Sequence, residues 1–115
     1  MIDHQDATRS NERIAEDQKW LLANAAAYGL AKQVVAYSKD RRKRILAKYI
    51  EVARGDSMKE REVSALANGG YWRDIEEQEH SERAAYKFIA EYAARLASME
   101  ASRSVLGFQK ALLGL

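Results

Sequence analysis

Not one residue of this chain is proline, and apolar side chains recur along it at intervals of seven. The missing proline removes the strongest helix breaker. A seven-residue repeat is the spacing at which helices pack along a shared seam. Alanine, leucine, glutamate, lysine and arginine, all good helix formers, dominate what lies between. The expected fold class is therefore all-α: an antiparallel helical hairpin of two long amphipathic helices with a short connecting helix, coiled-coil-like and completed by self-association.

The repeat assigns segments. Residues 1–9 carry no periodicity and are expected to be a disordered start, with 10–115 as a single helical domain. Ser10 or Asn11 can cap a helix, with Glu12 favouring the positive end of its dipole. Ile14, Leu21, Tyr28, Val35 and Tyr49 then recur at sevens, with Arg42 the one exception in the column. Gln18, Ala25, Ala31, Ile45 and Val52 are read as the intermediate positions. This predicts one long helix, or two stacked helices broken near residues 38–40, over 10–54, with Gly55 as a stop.

Ser57 followed by Glu60 is a capping box that opens a short helix over 57–67. Asn68, Gly69 and Gly70 suit a turn that needs left-handed backbone. A second long helix follows over 71–106. Ile75, Glu82, Ile89, Leu96 and Arg103 form one of its columns, and Gln78, Ala85, Tyr92, Met99 and Leu106 the other. The apolar tail 107–115 can dock on its own bundle or on another chain. A two-helix hairpin buries little apolar area for a chain of 115 residues. Leu21, Tyr28, Val35, Tyr49, Ile75, Ile89, Tyr92, Leu96 and Met99 are accordingly read as an oligomer seam, with a dimer as the first expectation.

Function classes narrow mostly by exclusion. The chain has no cysteine, which removes disulfides and thiolate chemistry and fits a reducing cytoplasm. The polar start "MIDHQDATRS" is unlike the apolar core of a signal peptide. No apolar run approaches the roughly 20 residues of a membrane span. Glu77 and His80 have the spacing used by carboxylate-bridged di-metal bundles, but the facing helix offers arginine and lysine, so no metal is expected. His4 supports no site. Nothing has the context of a catalytic triad or a phosphate loop, and a non-catalytic protein without cofactor or small-molecule substrate is expected. Trp20 and Trp72 are read as anchors at the bundle ends.

One stretch stands out. "SKDRRKRILAKYI" packs six basic residues into positions 38–50. Across a turn around 55–70 it faces "YWRDIEEQEHSE", which holds five carboxylates. Two readings compete. The basic run can pair with the acidic helix across the seam, setting register, or it can hold phosphate. A helix turns 100° per residue, so four consecutive cations cannot share one face. Some are expected to meet the acidic helix and the rest to face solvent or a ligand. The candidate nucleic-acid contacts are Lys39, Arg41, Arg42, Lys43, Arg44 and Lys48, with Tyr37 to stack on bases.

From Tyr37 to Ser104, the succession "YSKDRRKRILA", "KEREVSALA", a tyrosine-containing turn, an acidic stretch and "AARLASMEASRS" resembles a group of small helical proteins of tailed phages and prophages. They are often encoded near genes for recombination and single-strand binding. The resemblance implies an accessory protein of phage DNA metabolism in the host cytoplasm, binding DNA or a DNA-processing protein. It transfers no site residues. A protein–protein module inhibiting a host defence or repair complex is the alternative.

Overall fold

The computed structural model describes residues 4–114. The fold is an all-α helical hairpin of coiled-coil type. It has four helices in order, α1 His4–Ala36, α2 Ser38–Val52, α3 Met58–Leu66 and α4 Gly69–Leu113. No described residue is in a strand. The contacts divide the chain into two units, one of residues up to Gly29 and from Phe88 onward, the other of Leu30–Lys87.

In the first unit the start of α1 runs antiparallel to the end of α4. Ser10 pairs with Gln109, Asp17 with Arg95 and Tyr28 with Tyr92, so one number falls as the other rises. Ala7, Leu21, Met99 and Leu106 are buried between them. Four rings pack toward the end of this unit marked by Gly29 and Phe88. Tyr28 stacks on Tyr92 with centroids 4.1 Å apart, and Trp20 lies against both Phe88 and Tyr92 at 6.1 and 6.0 Å. Trp20 is thus a seam residue in mid-helix and not an end anchor.

This packing corrects both expected ends. Residues 4–9, expected to lack structure, are helical, and residues 1–3 lie outside the described part. Ser10 caps nothing; its hydroxyl donates to Gln109 Oε1 at 2.8 Å. The apolar tail does not stand apart either, since α4 continues to Leu113. The two ends cover each other, which a reading of either one alone does not reveal.

In the second unit α2 runs antiparallel to the start of α4, as Arg42–Glu82 and Tyr49–Asp74 record. Only Tyr37 interrupts the helix leading into α2, one residue ahead of the break expected at 38–40. The backbone ladder crosses it, Tyr37 N–H donating to Gln33 O and Arg41 N–H to Tyr37 O, each at 3.0 Å. Helix α3 packs back on α2 and buries Ala65. Its capping box forms, but with a shift. Ser57 Oγ accepts from Glu60 N–H, while the Glu60 carboxylate accepts from Asp56 N–H instead of from Ser57.

The turn at 68–70 is also made differently from expectation. No residue there has positive φ. Asn68 Oδ1 accepts from Gly70 N–H at 2.8 Å and so caps the start of α4, with Gly69 and Gly70 already helical. Gly70 is required by close approach, because a Cβ there would lie 2.9 Å from the Tyr49 hydroxyl.

One seam column matches expectation: Leu21 is buried, and Ile14, Tyr28, Val35 and Tyr49 are half-buried. The other does so only at Ala31 and Ile45. Gln18, Ala25 and Val52 are exposed, and the inward positions are Ser10, Asp17, Asn24, Ala31, Ser38 and Ile45, also spaced by seven. On α4, Ile75, Ala85 and Met99 are buried and Ile89 and Tyr92 half-buried, but Leu96 is 39% exposed. Arg95, Ser102 and Gln109 take over from Leu96 and Arg103. The seam on α1 and α2 keeps a strict seven-residue spacing, with its second column three residues after the first rather than four. Leu96 apart, the residues expected to form an oligomer seam are buried or half-buried within the single chain.

Candidate nucleic-acid interface on helix α2

Helix α2 carries six basic and two acidic residues, and none of its side chains is fully buried. Its inward side is set by Ile45, Leu46, Tyr49 and Ile50, all half-buried. That orientation sorts the basic residues into three groups.

Two of them meet α4. Arg42 reaches Glu82 with two guanidinium nitrogens, Nε at 3.4 Å from Oε1 and Nη2 closer still to Oε2. The bond to the Glu82 carboxylate raises the Arg42 pKa further above its ordinary value, so the side chain stays charged. Of the five carboxylates in the acidic stretch, Glu82 is the one level with Arg42. Lys48 lies 3.6 Å from Asp74. Asp74 also accepts the Tyr49 hydroxyl at 2.7 Å, and this bond holds the Tyr49 pKa above the ordinary tyrosine value. Tyr49 is therefore fixed in the seam, its ring edge-on to Tyr71.

The second group is an outward stripe. Tyr37, Arg41, Arg44 and Lys48 follow at intervals of four, three and four, which places them within about 60° of one another around the helix. The stripe is about 16 Å long at 1.5 Å per residue. Tyr37 at its head is 55% exposed. Arg41 and Arg44 are exposed and pair with no carboxylate among the described residues. Two hollows meet at Arg44. One of about 270 Å³ is lined by Tyr37, Asp40, Arg41 and Arg44. The other, of about 400 Å³, runs from Arg44 and Lys48 across to Asp74, Gln78 and Ser81. Gln78 Nε2 is buried there with no acceptor among the described residues.

Lys39 and Lys43, the third group, are exposed and unpaired among the described residues, but they lie about 160° or more round the helix from Arg41. The seven candidate contacts are thus not one surface. Sequence order made them look contiguous, and the helical turn separates them.

The remaining sequence candidates come to little. Glu77 and His80 are exposed, and no three His, Asp or Glu side chains among the described residues converge as metal ligands. Trp72 is exposed at the turn, its indole N–H donating to Leu66 O at 2.7 Å. Among the described residues no helix is long and apolar enough to cross a membrane. No protein-family profile, curated protein or solved structure matches the chain.

Proposed function

We propose that this is a non-catalytic accessory protein that binds nucleic acid through the outer face of α2, acting in phage or prophage DNA metabolism in the host cytoplasm. The observation that carries the binding reading is the Tyr37–Arg41–Arg44–Lys48 stripe. It combines two cations that pair with no carboxylate among the described residues, Arg41 and Arg44, with an exposed ring at their head, the pairing by which single-strand binders track a backbone and stack a base. Lys48 stands at the stripe's far end, shared with Asp74. The phage setting rests on the resemblance described above.

Binding of labelled single- and double-stranded DNA across a salt series tests this. Contacts from Arg41, Arg44 and Lys48 give a log K against log salt slope of about −2 to −3. The Arg41→Ala/Arg44→Ala variant, helical by circular dichroism, is expected to lose about two units of that slope. Lys39→Ala/Lys43→Ala changes it less. Affinity that does not respond to salt, or a stripe variant that binds as the parent does, refutes the reading.

A second reading, a protein–protein module that inhibits a host defence or repair complex, is favoured by the exposed apolar side chains around α3. Met58, Val63, Leu66 and Trp72 all face solvent there, and an exposed tryptophan is a common anchor of protein interfaces. Absence of DNA binding by the parent protein, with a defined host protein co-purifying in a Trp72-dependent manner, would favour it.

A further inference from the structure

On the last part of α4, Val105, Phe108 and Leu112 are exposed, Phe108 at 61% and Leu112 at 59%. They continue a stripe of exposed small residues, Ala90, Ala94, Ala97 and Ala101. All seven fall within a sector about 80° wide, turned away from the buried Met99 and Leu106. The charged residues of this stretch (Glu91, Arg95, Glu100, Arg103 and Lys110) lie outside the sector. A charge-free apolar face about 33 Å long is thus left uncovered.

Its spacing is symmetric about Ala101. Alanines stand four, seven and eleven residues before it, and large apolar residues stand four, seven and eleven after it. A two-fold axis through Ala101 would lay a second α4 antiparallel on the first. Val105 would then face Ala97 of the second copy, Phe108 would face Ala94, and Leu112 would face Ala90. Every level would set one large side chain against one small one, which is how facing layers interdigitate without voids. A surface complementary to itself under a two-fold axis is the mark of an isologous dimer contact.

The surface area points the same way. The chain exposes 8506 Å², where a folded monomer of 13.0 kDa exposes about 6,300 Å². The excess is of the size that each partner buries in an obligate dimer, about 1,000–2,500 Å². Four of the nine buried apolar residues are alanine, so the core of one chain is small.

We infer that the protein is a homodimer whose two copies pair antiparallel through this outer face of α4, with Ala101 at the two-fold axis. The inference does not depend on whether α2 binds nucleic acid. Sedimentation equilibrium at micromolar concentration is expected to give twice the chain mass. Ala94→Phe sets two phenylalanines against each other and Phe108→Ala leaves a gap, so each is expected to weaken the dimer by about tenfold or more. The combined swap restores large against small and recovers most of the loss. The chain lacks cysteine, so Ala101→Cys can form a disulfide only between copies and is expected to cross-link readily. Leu22→Cys, exposed on α1, is the control that should not. A monomeric parent overturns the inference, as does a dimer indifferent to Ala94→Phe and uncross-linked at position 101.

Discussion

Each unit sets antiparallel helices side by side, α1 against α4 in the first and α2 against α4 in the second, and the two seams differ in chemistry. In the first, Trp20, Tyr28, Phe88 and Tyr92 fill the seam with rings. In the second, Arg42–Glu82, Lys48–Asp74 and the Tyr49–Asp74 hydrogen bond flank the edge-on Tyr49 and Tyr71 rings and the buried Ile75. Ring burial is nearly independent of salt and pH, whereas exposed charge pairs are screened and contribute little each. The first unit's ring cluster is therefore indifferent to salt, while the second adds screened charge pairs to buried apolar residues of its own. The second sets register and leaves a charged outer face available for a ligand.

The largest expected effect is in the first unit. Tyr92→Ala removes the ring between Trp20 and Tyr28 and should cost about 3 kcal/mol in denaturant unfolding. Hydrogen exchange should then quicken in residues 4–29 and 88–114 before it does in 30–87. Equal acceleration everywhere would break the distinction between the units.

Next comes the Asp17–Arg95 pair of the first unit. Asp17 is 3% exposed, and Arg95 lies 3.3 Å from its Oδ1 and over the Trp20 ring at 5.1 Å. Arg95→Ala strands a buried carboxylate and should cost about 2 kcal/mol, less than a fully buried pair because Arg95 is part-exposed. Replacing both residues with leucine should restore most of that loss, or more, since an apolar pair there leaves no charge unpaired. Urea midpoints of the single and double variants decide it.

In the second unit, Tyr49→Phe should lower the melting temperature at neutral pH by deleting the bond to Asp74. The sign of its pH dependence follows from the raised Tyr49 pKa. The stabilisation is complete below the ordinary tyrosine value near 10 and is lost as pH climbs through the raised value. Melting curves of parent and variant should differ by a constant amount around neutrality and converge above about pH 10. A gap that widens with alkali would be the wrong sign. Smallest of all, Arg42→Ala should cost less than about 1 kcal/mol, and the difference should vanish near 1 M salt. A cost that survives such salt would show that the Arg42 stem contributes packing as well as charge.

Much of this was legible in the chain itself. A proline-free sequence with apolar residues at sevens can hardly avoid long helices, and Ser57 with Glu60 marked the start of α3 to the residue. Pairing of the basic run with the acidic stretch was legible as well, because charge and distance from the turn are both written in the sequence. The second seam column was not. Ser10, Asp17 and Asn24 are polar and become seam residues only because Gln109, Arg95 and the rings of α4 lie opposite.

Helix content, the hairpin and the charge pairing of its arms follow from local periodicity and propensity, which depend on near neighbours in the chain. Which cations remain unneutralised, which face of α4 stays uncovered and where both helices end depend on rotation about the helix axis and on the residue opposite. The seven-residue spacing holds along α1 and α2, but whether the second seam column stands three or four residues after the first depends on the side chains of the helix opposite. The turn of 100° per residue already separates Arg41 from Lys39 and Lys43; the tertiary structure adds which face of α2 meets α4 and which stays open.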